Sequence, residues 1–108
     1  MTILFFGTSE FAVPSLAKLA KSHKVAAVVT RSDKPQGRDL KPLPSPVKAK
    51  AQSLGLEAIS IDDMPVAAAV AALKKYKTDI FVVISYGKLL SSEVLSLPGL
   101  YSIGLHAS

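Results

Sequence analysis

Three short stretches of this chain are apolar almost without interruption: Ile3 to Phe6, Val25 to Val29 with Thr30 closing the run, and Ile80 to Ile84. A strand that meets water on one side alternates apolar with polar residues. A run without alternation is covered on both faces, which is the condition of strands in a parallel sheet with helices above and below. Helical spacing fills the gaps between them. Leu16, Leu19 and Ala20 define one apolar stripe, with Pro14 acceptable in a first turn. Val47, Ala51 and Leu54 define a second, closed by Gly55 at the C′ position.

The spacing also predicts a short strand within Glu57–Ile61 and a third helix begun by Asp62, Asp63 and Pro65. That helix has Val66, Ala69, Val70 and Leu73 on its inner face and acidic groups at its positive end. Ser91 to Leu95 forms a brief helical turn before Pro98, and Tyr101 to Leu105 forms the last strand. The expected class is α/β, a Rossmann-like open parallel sheet of about five strands with helices on both faces. Right-handed crossovers place the first and fourth strands side by side near the centre. The final strand, left at an edge, is an association hazard.

Charge is unevenly distributed. Arg31 to Lys50 carries +4 of the net +5 and also holds four of the seven prolines up to Pro46. Arg31 to Pro46 therefore reads as a stiffened basic loop, either simply solvated or suited to a polyanion. Without cysteine, disulfides, zinc–thiolate sites and thiol nucleophiles are excluded. No apolar run reaches bilayer length and the opening lacks a basic leader, so the expectation is a cytoplasmic protein with no membrane partner and no metal.

In such sheets ligands bind beyond the carboxyl ends of the strands. The first strand ends in Gly7-Thr8-Ser9, which matches neither Gly-x-Gly-x-x-Gly nor the Gly-Lys-Ser/Thr ending of a P-loop. Nicotinamide and P-loop chemistry are thereby disfavoured. Thr8 or Ser9 serves there as a helix N-cap, or the turn's N–H groups hold a phosphate, carboxylate or carbonyl. The fourth strand opens into Ser85-Tyr86-Gly87, whose backbone suits the edge of a flat heterocycle; the competing reading makes Tyr86 an aromatic at the core's margin. Lys88 reads as a solvated surface charge, and His23 as a surface residue at a helix end. The last strand delivers His106, an imidazole able to act as acid, base or hydrogen-bond donor near neutral pH, or else a structural histidine.

Taken together, several motifs resemble the methionyl-tRNA formyltransferase family. They are Phe5-Phe6-Gly7-Thr8-Ser9-Glu10-Phe11-Ala12-Val13-Pro14, Asp33-Lys34-Pro35-Gln36-Gly37-Arg38, Pro44-Ser45-Pro46-Val47-Lys48, Ser85-Tyr86-Gly87 and Gly104-Leu105-His106-Ala107-Ser108. They run in order along the whole chain. The resemblance implies transfer of a formyl group from 10-formyltetrahydrofolate, the formyl donor, to the amine of methionyl-initiator tRNA. It implies His106 as the catalytic histidine, Ser85, Tyr86 and Gly87 at the pterin, Gly7, Thr8 and Ser9 toward the aminoacyl end, and Arg38 and Lys41 on the acceptor stem. Gly104 stands where the family has asparagine, which removes a donor to the developing oxyanion. The resemblance further implies that residues 1–108 are the amino-terminal part of the formyltransferase domain, inactive alone, with the rest of the catalytic domain and a carboxyl-terminal tRNA-binding domain absent. The alternatives are a formyltransferase for another amine, such as an amino-sugar nucleotide, and a folate- or RNA-binding module without catalysis.

Overall fold

The computed structural model describes residues 1–36, 41–88 and 90–105. Its elements in chain order are β1 (Thr2–Gly7), a single 3-10 turn (Glu10–Ala12), α1 (Val13–Ser22), β2 (Lys24–Val29), β3 (Lys34–Gln36) and β4 (Lys41–Leu43). Then come α2 (Pro46–Ser53), β5 (Ala58–Ile59), α3 (Val66–Lys74), β6 (Ile80–Ile84), α4 (Ser92–Leu95) and β7 (Tyr101–Leu105).

Five strands form one sheet in the order β5-β2-β1-β6-β7, and every pair is parallel. The apolar runs are thus strands covered on both sides, as their lack of alternation requires. Leu4, Phe6, Ala27, Val29 and Phe81 share one face of the sheet with Ala69 and Leu73 of α3 and Val94 of α4. Phe5, Val25, Val28 and Ile84 share the other with Leu16 of α1 and Val47 and Ala51 of α2. The chain winds outward from β1 through α1 and α2, then returns through α3 to lay β6 on the opposite side of β1. Right-handed crossovers running in opposite directions must put their helices on opposite faces, which produces the two layers.

One irregularity keeps the layers in phase. The β1–β2 register pairs Ile3 with Val25 but Leu4 with Ala27, so Ala26 is an extra residue. Val25 and Ala27 would otherwise face the same way; the bulge sends Val25 to the α1 side and Ala27 to the α3 side.

Helix α2 is sharply bounded. Ser45 is its N-cap and accepts the Lys48 N–H at 3.0 Å, while Pro46 occupies the first helical position, where a missing N–H costs nothing. The far end is a Schellman motif: Leu56 N–H donates to Ala51 C=O at 2.9 Å and Gly55 N–H to Gln52 C=O at 3.1 Å, with Gly55 at φ +72°. Ser45 has a second task. Its hydroxyl meets that of Thr30 at 2.6 Å, both residues fully buried, tying the helix to the end of β2.

The structure corrects two expectations. Arg31–Pro46 is not wholly loop, because β3 and β4 pair antiparallel through Lys34↔Leu43, Pro35↔Pro42 and Gln36↔Lys41. Neither proline can donate, so the two face each other at a non-hydrogen-bonded position that a two-stranded ribbon tolerates. The short third strand lies at Ala58–Ile59, within the expected Glu57–Ile61. Helix α3 starts at Val66 behind Pro65 with no acidic residue in its first turn. Asp62 instead accepts from the Ser32 N–H and hydroxyl at 3.1 and 3.0 Å, holding the chain beyond β2. Strand β7 lies at the sheet edge, with Tyr101 and Ile103 exposed.

Ser45→Ala removes the cap and strands the buried Thr30 hydroxyl. Denaturant unfolding is expected to show a loss of about 1–3 kcal/mol, against under about 1 kcal/mol for Lys48→Ala, which deletes only the exposed ion pair to Asp33.

Candidate functional site

The strand order reverses direction between β1, whose chain departs toward β2, and β6, whose chain departs toward β7. Connections leaving in opposite directions cannot fill the space between them, so a crevice opens at the carboxyl edge. The two turns at its floor are fastened together. Thr8 N–H donates to Ser85 C=O at 3.1 Å, the Thr8 hydroxyl donates to Tyr86 C=O at 2.8 Å, and the Ser9 and Ser85 hydroxyls are in contact at 2.5 Å. From below, Val47 N–H of α2 reaches Thr8 C=O at 3.4 Å.

This closeness depends on Gly7. A Cβ there would lie 2.8 Å from the Phe5 ring, 3.0 Å from the Ala12 methyl and 3.0 Å from Ile84 C=O. Ser85, at φ +51°, holds the left-handed conformation that side chains rarely adopt, and Gly87 follows at φ +85°. A left-handed serine costs of order 1 kcal/mol or more and persists where its surroundings hold it. Here the clasp to Thr8 and Ser9 does so.

Among the described residues, three cavities open along the edge. Thr8, Ser9, Arg31, Ser85, Tyr86, Gly87 and Lys88 line a cleft of about 350 Å³. Val83, Lys88, Leu90, Leu95, Ser102, Ile103 and Gly104 line a mainly apolar pocket of about 260 Å³ over the α4-side face of β6 and β7. A third, of about 190 Å³, lies toward α3 and includes Asp62, Met64, Tyr86 and Leu90. Lys88 borders all three.

Gly7, Thr8, Ser9, Ser85, Tyr86 and Gly87 therefore meet at one place, as adjoining turns. Tyr86 itself is buried, its ring edge-on to Phe6 at 5.6 Å, so the crevice receives its backbone while its ring belongs to the core. Gly104 lines the apolar pocket instead, and a Cβ built on it has no atom within 4 Å. Lys41 begins β4. Arg38 and His106 lie outside the described residues.

One participant was not evident as such in the sequence. Lys88 is exposed, as a solvated charge should be, yet it is the shared rim of the three cavities. For Lys88 the only available signal was distance from a strand's carboxyl end. Arg31 was readable as part of a basic loop able to grip phosphates and leaving a strand's carboxyl end, and its position directly after β2 puts it in the cleft. Among the described residues no group of three or more acidic or histidine side chains is placed to hold a metal, and no helix is long and apolar enough to cross a membrane.

Fold and crevice define an open, doubly wound α/β domain with a crevice where the strand order reverses, the place at which sheets of this kind take ligands. The fold is shared with glycinamide ribonucleotide transformylase 1 from Symbiobacterium toebii, at a TM-score of 0.67 and 14% identity over 95% of this chain and 49% of that one. The Geobacillus kaustophilus counterpart gives 0.66 at 19% identity, over 95% and 55%. Residues 1–108 match the formyl transferase family along their whole length, and the chain belongs to that family. Among curated proteins it is 42% identical to methionyl-tRNA formyltransferases from Moorella thermoacetica and from Thermus thermophilus, in each case over 100% of this chain. The chain spans 35% of the length of those relatives.

Burial, and secondly the Asp62 carboxylate, push the Tyr86 phenol up from 10.0 to about 12. Burial, and secondly its hydrogen bond to Glu57, push Tyr76 likewise to about 12 from a more open position. Between those values the unfolded chain loses phenolic protons that the folded chain keeps. Stability is then complete below about pH 10 and declines as pH rises toward 12. Melting curves of Tyr86→Phe are expected to show a shallower alkaline decline than the parent, and an unchanged slope would contradict the burial of the phenol.

Proposed function

We propose that this chain is the front part of a formyl-transferring domain that moves the formyl group of 10-formyltetrahydrofolate onto the amine of methionyl-initiator tRNA. The observation that carries the reading is 42% identity to proteins named methionyl-tRNA formyltransferase, maintained over the entire chain. The basic segment around Arg31–Lys50 supports it, since tRNA is a polyanion.

The apolar pocket over the α4-side face of β6 and β7 fits the donor's flat ring: aliphatic side chains Val83, Leu90 and Leu95 form its walls, and Lys88 and Ser102 are polar points at its margin. When bound, the donor supplies the carbon that the substrate amine attacks. The chain's part is to orient the two partners and to meet the negative charge growing on the formyl oxygen. His106, two residues beyond Gly104, is the residue proposed to donate to that oxygen or to relay the amine proton. Gly104 leaves the second donor position without a side chain. The open space beyond it accepts an asparagine without displacing anything described.

Purified full-length protein, supplied with 10-formyltetrahydrofolate, is expected to formylate methionyl-tRNA in preference to an amino-sugar nucleotide; the opposite preference overturns the reading. In that protein Gly104→Asn should raise kcat by about 10²–10³ with little change in KM, since it adds an interaction made only at the transition state. Arg38→Ala should weaken tRNA binding and lower the slope of affinity against salt by about one phosphate contact in a titration of ionic strength.

A further inference from the structure

Arg31 and Lys88 enter the carboxyl-edge cleft from different strands, Arg31 directly after β2 and Lys88 after the β6 turn. The Arg31 Nε is buried and has no hydrogen-bond partner among the described residues. A guanidinium N–H withdrawn from water costs free energy until an acceptor meets it. Lys88 is exposed, and the ion pair recorded among the described residues, Lys48 with Asp33, involves neither cleft cation. No carboxylate of the described residues lines the cleft. Asp62, engaged with Ser32, borders the neighbouring pocket instead.

The cleft's hydroxyls add to this donor character. In the Ser9–Ser85 contact one hydroxyl donates to the other, which leaves the accepting hydroxyl's own proton free. A guanidinium, an ammonium and a free hydroxyl proton thus surround about 350 Å³ of space. A carboxylate has two oxygens in one plane and is satisfied by a single guanidinium fork. A phosphate has oxygens directed at several walls at once, which suits cations arriving from separate strands. The volume also exceeds a bare phosphate and leaves room for an attached sugar.

We propose that Arg31 and Lys88 form a phosphate clamp in this cleft, seating a phosphate of the amine-bearing substrate and so fixing where its amine lies. The ownership of that phosphate by the acceptor of the formyl group rests on the function proposed above; the clamp itself rests on the cleft. Arg31 and Lys88 are positioning residues here, distinct from the basic segment that follows, which supplies attraction at longer range.

The test is titration of the 108-residue chain with adenosine 5′-monophosphate, and separately with inorganic phosphate, followed by amide NMR at low salt. Saturable shifts are expected at the Thr8, Ser9 and Gly87 amides. Arg31→Gln and Lys88→Gln should each weaken binding by about ten-fold, Arg31→Lys by less, and Lys18→Gln on the exposed side of α1 not at all. Shifts confined to residues 41–50, unchanged affinity in both glutamine variants, or no saturable shift overturns the clamp. The spectra report folding directly, and the exposed Lys88 variant remains decisive should Arg31→Gln unfold. Because no formyl donor is present, failure of the clamp leaves the formyl-transfer reading standing, and failure of transfer leaves the clamp standing.

Discussion

The clasp between the ends of β1 and β6 is what the rest of the structure depends on. Gly7 lets the backbone of β1 pass against Ile84 and Phe5 with no room for a methyl group. Thr8 then uses both its N–H and its hydroxyl to hold the carbonyls of Ser85 and Tyr86. These bonds join residues nearly eighty positions apart in the chain, so they form only once the sheet has closed around β1. They also hold the Ser85 backbone in its left-handed conformation, which shapes the turn into one wall of the cleft.

The same economy appears at Ser45. One buried hydroxyl caps α2, bonds Thr30 at the end of β2, and thereby fixes the helix whose Val47 N–H supports Thr8. The Pro-Ser-Pro-Val-Lys segment, which resembles a family motif and follows the basic segment, is in its buried part a structural joint. Its proline and serine set the start of α2, and α2 sets the height of the crevice floor. A sequence motif can thus be shared for reasons of packing while its charged neighbours face the solvent.

Much of the fold was legible because a strand buried on both faces and a helix buried on one leave different apolar periods. Phe5 and Phe6 face opposite layers yet are both buried, a pattern only a sandwiched strand produces. The errors have equally local causes. Pro35 and Pro42 argued against pairing, but in a two-stranded ribbon they oppose each other where no donor is required. Asp62 was assigned to a helix terminus on sequence proximity, whereas its carboxylate is engaged by Ser32, thirty residues earlier. At the site, the turns at Gly7 and Ser85 were readable as strand ends, while the burial of the Tyr86 ring against Phe6 was one of two open readings until the packing decided it.

From the order of residues alone came the parallel α/β architecture, the central pairing of β1 with β6, and the family motifs, because each is written in local apolar spacing or in contiguous residue identity. Tertiary structure decided which polar groups share a cavity. Arg31 and Lys88 are separated by most of the chain and by no recognisable pattern, and they border one cleft because the strands carrying them flank β1. Spacing along a chain encodes how an element buries itself; only the closed sheet sets the distance between groups delivered by different elements.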